Sequence, residues 1–158
     1  MIRKVFAFLV RNNTTRTPEL LVLEDYPGNT SVPKGTVENE EDLREAVLRE
    51  LAEESGITGA RITGLLGQHS AQIRGGPGMQ GPLEEQFHTG FLLENTGSLP
   101  DRWEHRVSAP GVENGQIFRY RWVEVTTELE LAYGANRFIP ALLHALHGAS
   151  NQTQTDAE

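Results

Sequence analysis

Three glutamates, Glu50, Glu53 and Glu54, have the i, i+3 and i+4 spacing that places side chains on one face of a helix. We call them the helix glutamates. Carboxylates held this close repel one another unless a cation lies among them. Carboxylate oxygens are the ligands that hard divalent cations prefer, so the spacing favours a site for Mg²⁺ or Mn²⁺.

The neighbouring sequence predicts the helix that would carry these side chains. Asn39 is an acceptable N-cap, and the acidic residues 40–42 fill a first turn in which negative charge meets the positive end of the helix dipole. Gly56 suits the left-handed position that follows a last turn. The apolar residues recur at helical spacing, and they are Leu43, Ala46, Val47 and Leu51.

The direction of the helix glutamates separates two interpretations. A Glu-rich helix face is usually a solvated surface. Here Glu50 and Glu54 fall inside the apolar arc, about 20° to either side of Leu43, and Glu53 lies on its edge. Carboxylates that face a core cost several kcal/mol unless they are compensated. The inward direction therefore favours a metal site over a solvated face.

Residues 35–57 read GTVENEEDLREAVLRELAEESGI and resemble the Nudix box, G-x5-E-x7-R-E-U-x-E-E-x-G-U, in which U is aliphatic. The resemblance covers a short part of the chain but is specific, because every fixed position is filled at the required spacing. The matching residues are Gly35, Glu41, Arg49, Glu50, Leu51, Glu53, Glu54, Gly56 and Ile57.

Resemblance to the Nudix family implies an α/β fold, an α/β/α sandwich around a mixed β-sheet. It implies hydrolysis of a diphosphate that is linked to another group, with the help of a divalent metal. The helix glutamates would hold that metal. Glu41 and Arg49 would orient them and so contribute to catalysis, and Gly35 would let the backbone approach the site and contact substrate.

Residues outside the box add candidates for the same site. Lys34 could neutralise a phosphate oxygen, although a solvated loop lysine is an equally good explanation. Arg74 flanks a Gly/Pro-rich segment and could bind phosphate in a bidentate manner. In the family that the box resembles, a carboxylate from elsewhere often completes the site. Glu84 or Glu85 could then be a general base or an extra metal ligand.

Length and charge limit the remaining possibilities. The chain has 158 residues, which predicts one domain; we expect it to span residues 1–148, with a frayed polar tail at 149–158. The formal net charge of −8 argues against a partner that is polymeric nucleic acid. The expected partner is a small phosphorylated molecule, in particular a nucleotide. A homodimer is one possible assembly.

The absence of Cys excludes disulfides, thiolate metal sites and Cys nucleophiles. The N-terminal MIRKVFAFLV has an apolar run too short for a secretory leader, and Arg11 follows it instead of a small-residue cleavage site. No stretch approaches the length of a membrane span. We therefore expect a cytoplasmic protein with no membrane partner.

Strand-like and helix-like segments alternate along the chain, which agrees with an α/β class. We expect mobility in the Gly/Pro-rich segment 75–82 and a long polar connection over 95–116. The predicted strands are 3–10, 19–24, 61–73, 86–93 and 117–125, and a second amphipathic helix is predicted at 136–147.

The combined prediction is Mg²⁺- or Mn²⁺-dependent hydrolysis of a nucleoside diphosphate linked to another moiety, with Glu53 as the residue that takes a proton from water. Dinucleoside polyphosphates are the leading substrates. Nucleoside triphosphates and nucleoside diphosphate sugars are alternatives within the same class. A nucleotide-sensing module without catalysis is the alternative from another class, and the complete set of box glutamates argues against it.

Overall fold

The structure is a computed structural model that describes residues 1–12, 15–25, 28–75, 79–111 and 114–156, with side chains described as far as residue 148. Its helices are α1, Leu43–Ser55, and α2, Ile139–Asp156, which follows a 3₁₀ helix at Ala135–Phe138. The strands are β1 Ile2–Asn12, β2 Pro18–Glu24, β3 Thr30–Ser31, β4 Lys34–Thr36, β5 Ala60–Arg74, β6 Leu83–Asn95, β7 Arg102–Arg106 and β8 Ile117–Glu124.

One mixed sheet joins the eight strands of the described residues, in the order β5-β6-β1-β2-β8-β7, with β3 beside β2 and β4 beside β1. β1 and β6 are parallel, and the other pairs are antiparallel. β1 contains a continuous apolar run, which is typical of a strand that is covered on both faces. The first two predicted strands are confirmed as β1 and β2, and they pair with Val10 opposite Leu20.

Alternate residues of β1 enter two separate cores. Val5 and Leu9 pack on the α1 side of the sheet, whereas Phe6 and Phe8 pack on the other side, with residues of the 3₁₀ helix and α2. The sheet is therefore enclosed between helices. The predicted α/β/α sandwich around a mixed sheet is confirmed.

The start of α1 differs from the prediction. Asp42, not Asn39, is the N-cap, and its Oδ1 accepts a hydrogen bond from the backbone N–H of Arg44 at 2.8 Å. Glu40 has a φ of 64°, a left-handed conformation that cannot continue a helical turn. A turn therefore precedes α1, closed by the N–H of Glu41 and the carbonyl of Glu38 at 3.1 Å.

The long connection predicted over 95–116 contains a strand. β7 forms the edge of the sheet beside β8, with Trp103 opposite Tyr120. Its residues alternate between exposed and half-buried, a period-2 pattern that the many charged residues of RWEHR conceal. The predicted strand at 61–73 is confirmed as β5, which has two register shifts.

The ends of the 75–82 segment are tied together by hydrogen bonds from Gly75 N to Pro82 O at 3.2 Å and from Gly81 N to Gly75 O at 2.8 Å. The mobility predicted for segment 75–82 stays a prediction, and residues 76–78 of that segment lie outside the described residues. α2 extends to Asp156, and the domain boundary and the fraying of the tail stay predictions. Neither helix in the described part of the chain combines the length and apolar character needed to cross a bilayer.

Candidate active site

The helix glutamates lie on the face of α1 that their spacing predicts. Glu50 is 8% exposed and Glu54 is 2% exposed, so the inward direction of both is confirmed. Glu53 lies at the edge of the buried arc, with 21% of its side chain exposed. α1 therefore presents two buried carboxyl groups and one that is more accessible to solvent.

Arg49 joins three of the acidic side chains. Its Nε and Nη2 donate to the two carboxylate oxygens of Glu41 at 2.7 and 2.9 Å, a bidentate pair. Its Nη1 donates to Glu50 at 3.0 Å and to Glu53 at 3.1 Å. The hydrogen bond from Arg49 lowers the pKa of Glu41, and the same bond raises the pKa of Arg49.

β4 lies directly beside α1. The backbone N–H of Lys34 donates to Oε1 of Glu54 at 2.9 Å. A Cβ atom on Gly35 would lie 1.8 Å from Cδ of Glu50, so the Glu50 carboxyl group occupies the space that any side chain at position 35 would need. Glycine is therefore required for this close approach between strand and helix.

Three hydrogen bonds, from β7, from β8 and from the segment that follows β7, fix the last turn of α1. The hydroxyl of Tyr120 donates to the carbonyl of Glu54 at 2.8 Å, and the indole N–H of Trp103 donates to that of Ser55 at 3.1 Å. The N–H of Ser108 donates to the carbonyl of Glu53 at 3.1 Å. These donors pair carbonyls that have no partner within the helix and so hold its acidic end in place.

A cavity of about 680 Å³ opens beside these groups. Its wall combines acidic side chains of α1 with the cationic side chains Lys4, Lys34 and Arg74 and with aromatic rings. Of the predicted site residues, those on the described wall are Lys34, Gly35, Arg49, Glu50, Glu53 and Arg74. The cavity thus brings six predicted residues from three parts of the sequence together.

Glu84 and Glu85 occupy opposite faces of β6, and neither is on the described wall. Glu84 is half-buried, and its carboxylate fills the space next to Gly75, where a Cβ atom would come within 2.3 Å of Oε1. Glu85 is exposed and pairs with Gln72 on β5. Glu84 is the nearer of the two to the cavity, because Gly75 is part of its wall.

A chain of hydrogen bonds that the sequence did not indicate leads from Glu84 into the core. Nε2 of Gln86 donates to Glu84 at 3.0 Å, which leaves the amide oxygen of Gln86 to accept from Nε2–H of His88 at 2.7 Å. His88 is fully buried. Burial, followed by the neighbouring His69 and cationic side chains, lowers the pKa of His88 to about 4.

The donor set of α1 suits a hard divalent cation, since the helix glutamates supply carboxylate oxygens and two of them are buried. Among the described residues, no group of three or more His, Asp or Glu side chains converges closely enough to hold a metal ion. The cationic group beside Glu50 and Glu53 is the guanidinium of Arg49. The residues therefore fit a divalent metal in chemistry, and these side chains would have to rearrange to enclose it.

An acidic helix beside a cavity with cationic walls, on an α/β/α sandwich, is suited to a phosphorylated ligand and a divalent cation. The NUDIX domain model matches residues 1–142. The chain therefore belongs to the Nudix family, and it is a pyrophosphohydrolase of the Nudix type. Nudix enzymes generally use divalent metal ions and act on small phosphorylated nucleotide substrates.

Solved structures share this fold at low sequence identity. The Ap4A hydrolase of C. elegans in a binary complex is 18% identical, with a TM-score of 0.63 over 94% of this chain and 99% of that chain. The E. coli ORF135 protein is 20% identical, with a TM-score of 0.61 over 94% and 92%. An ADP-ribose pyrophosphatase of Streptococcus suis is 13% identical, with a TM-score of 0.57 over 91% and 90%. No curated protein matches the sequence significantly.

Proposed function

We propose that this protein uses Mg²⁺ or Mn²⁺ to hydrolyse a diphosphate bond in a nucleoside diphosphate linked to another moiety. Dinucleoside polyphosphates are the leading substrates, and nucleoside triphosphates and nucleoside diphosphate sugars are the alternatives. The reaction takes place in the cavity beside α1. A cytoplasmic location and the possibility of a homodimer belong to this proposal.

The observation that carries the proposal is that Arg49, Glu50 and Glu53 lie together on the wall of the cavity. Arg49 holds Glu50 and Glu53 at 3.0 and 3.1 Å while it also binds Glu41, so the acidic groups on the wall are fixed before substrate arrives. Cationic side chains stand on the same wall and would attract phosphate oxygens. Because three cationic side chains besides Arg49 line the cavity, a polyphosphate chain is a better match than a single diphosphate.

The fold of the Ap4A hydrolase of C. elegans supports the leading substrate class, and that of the ADP-ribose pyrophosphatase of Streptococcus suis supports an alternative. The cavity volume of about 680 Å³ suits a nucleotide-sized ligand and does not separate the two. A direct comparison of substrates is therefore the deciding experiment.

The residues of the cavity suggest distinct roles in the reaction. A bound divalent cation, held by the helix glutamates, would neutralise charge on the diphosphate and make the attacking water more acidic. Glu53 takes one proton from that water as its oxygen attacks phosphorus. The bond from phosphorus to the bridging oxygen breaks, and the leaving phosphate keeps the electron pair. Lys34 and Arg74 orient the phosphate oxygens.

A substrate panel tests the reaction. Purified protein is incubated with Ap4A, ADP-ribose and a nucleoside triphosphate, each with Mg²⁺ and with Mn²⁺, and products are identified by mass. Reactions in H₂¹⁸O mark the phosphorus that water attacks, because the product that carries the label contains it. We expect the fastest turnover with Ap4A. Absence of turnover on every member, with metal present, would exclude the enzymatic proposal and favour a nucleotide-sensing module.

Calorimetric titration with Mg²⁺ or Mn²⁺ tests the metal site without any substrate. Glu50→Gln and Glu54→Gln should each weaken binding at least about tenfold, because each removes a carboxylate donor. Glu45→Gln is the matched control, since Glu45 is an exposed acidic residue in the first turn of the same helix. Equal metal affinity in all three variants would exclude the assigned ligands.

A further inference from the structure

Lys34 contacts an aromatic ring on the cavity wall. Its Nζ lies 4.4 Å from the centroid of the Tyr133 ring, within the range of a cation–π interaction. Both side chains are half-buried, and both belong to the wall. The backbone N–H of Lys34 is bonded to Glu54, so this residue links α1 with the ring.

The Tyr133 ring is itself held in place by a polar contact at its far end. Its hydroxyl donates a short hydrogen bond to Oδ2 of Asp25. The other oxygen of Asp25 accepts from the backbone N–H of Asn29 at 2.8 Å, which fixes the carboxylate. The hydroxyl of Tyr133 also accepts from Nδ2 of Asn29 at 3.4 Å. The ring therefore has a defined orientation before any ligand binds.

The backbone around Tyr133 adopts an unusual conformation. Tyr133 has a φ of 63° and Gly134 a φ of 89°, both in the left-handed region. A Cβ atom on Gly134 would lie 2.8 Å from Cε1 of the buried His88, so this turn is pressed against the sheet. A left-handed conformation in a residue other than glycine costs of order 1 kcal/mol or more and is concentrated at functional sites. In this conformation the Tyr133 ring lies beside Lys34.

We propose that Tyr133 is a positioning residue that holds the Lys34 ammonium where substrate phosphates bind, and that it is not a stacking platform for a nucleobase. The proposal rests on the proposed function only in requiring a phosphorylated ligand in this cavity. One face of the ring is covered by the ammonium group, so that face is closed to a base. Asp25 and Asn29 hold the Tyr133 hydroxyl and so fix the ring that contacts Lys34.

The test is a double-mutant cycle on the binding of inorganic tripolyphosphate, which has phosphates but no base. Calorimetry in metal-free buffer compares the wild type with Lys34→Met, Tyr133→Leu and the double variant. Tyr133→Leu should weaken binding about two- to five-fold when Lys34 is present and leave it unchanged in Lys34→Met. A loss that is equally large in both backgrounds would overturn the positioning role.

Lys4 supplies the matched control cycle. It is a second lysine of the wall, and its Nζ donates to the hydroxyl of Thr36 at 2.7 Å. Tyr133→Leu should keep its full effect in a Lys4→Met background, because the ring acts on Lys34. Loss of the effect in both lysine backgrounds would mean a general change of charge in the cavity and would overturn the specific pair.

Adenosine, which has a base but no phosphate, provides the opposing probe. Its binding should be the same in the wild type and in Tyr133→Leu; loss of adenosine binding with retained tripolyphosphate binding would assign the ring to the base.

If Tyr133→Leu fails to fold, Tyr133→Phe keeps the ring and removes only its anchor on Asp25. The same cycle should then show a weakening of about twofold that depends on Lys34. These binding tests need no turnover, so a failed substrate panel and a failed positioning role are distinguishable.

Discussion

On the α1 side of the sheet, buried carboxyl groups are accompanied by the guanidinium of Arg49, whereas on the α2 side the buried imidazole of His88 is accompanied by the amide of Gln86. Oε1 of Glu50 accepts a hydrogen bond from Nη1 of Arg49 at 3.0 Å. His88 has only the amide of Gln86 at Nε2, and its Nδ1 is buried without a hydrogen-bond partner in the described part of the structure. The low pKa of His88, about 4, keeps the ring neutral near pH 7.

The difference indicates how each side serves the cavity. The α1 side concentrates charge and offsets it with an arginine that touches several acids at once, which is the arrangement needed to handle a charged substrate and a cation. The α2 side holds a neutral imidazole and supports the cavity through packing, since His88 lies against both Phe6 and Gly134. Substitutions on the two sides should therefore change different observables.

The largest expected effect comes from Glu53→Gln. Glu53 is the most exposed helix glutamate and lines the cavity, so loss of its proton acceptor should lower kcat by about 10²–10⁴. The fold should be unaffected, because the variant keeps the size of the side chain. Steady-state kinetics with the best substrate of the panel measures the effect. If Glu53→Gln keeps near-normal kcat and Glu84→Gln loses it, the general base is Glu84 on β6.

A smaller effect is expected from Arg49→Lys. Lysine keeps the positive charge but cannot reproduce the bidentate bond to Glu41 together with the bonds to Glu50 and Glu53. We expect kcat to fall about 10–100-fold, as for residues that orient ligands, with a small change in Tm. Wild-type kcat with a large loss of Tm would make Arg49 a purely structural residue.

The smallest effect on turnover, and the clearest effect of pH on stability, should come from His88→Gln. The pKa of His88 falls from 6.5 in the unfolded chain to about 4 in the folded protein. The unfolded state therefore binds more protons in this interval, and the free energy of unfolding falls as pH drops from 6.5 to 4, by about 3 kcal/mol. His88→Gln should remove this part of the pH dependence.

Urea denaturation at several pH values measures that contribution. His144→Gln is the control for replacement of a histidine outside the core, because His144 is exposed on α2. If His88→Gln retains the full dependence, other groups account for the acid sensitivity.

The sequence predicts the α1 side better than the α2 side for a physical reason. The Glu41–Arg49 pair and the helix glutamates lie within a short segment, where spacing on a helix determines which side chains meet. Tyr133 reaches Lys34 from a turn near the other end of the chain, and no local period relates the two. Gly134 is the one local indication of that turn, because its φ of 89° favours glycine.

Two further differences have local causes. Asn39 and Asp42 are both good N-caps, and only the left-handed conformation of Glu40 decides between them. β7 is an edge strand with charged residues on its exposed face, so its apolar signal is limited to Trp103. The roles of individual site residues in catalysis stay predictions.

The parallel pairing of β1 with β6 has a consequence for how the chain reaches this structure. Ile2 pairs with Gln86, about half the chain away, while β5 and β6 form a hairpin of neighbouring segments. Closing the longer loop costs more chain entropy, so we expect the β5–β6 hairpin to form before β1 pairs with β6. β4 is positioned by β1, and α1 lies against β4. Trp103 and Tyr120 fix the last turn of α1, so a nascent chain would complete the acidic site only after residues well beyond the box have left the ribosome.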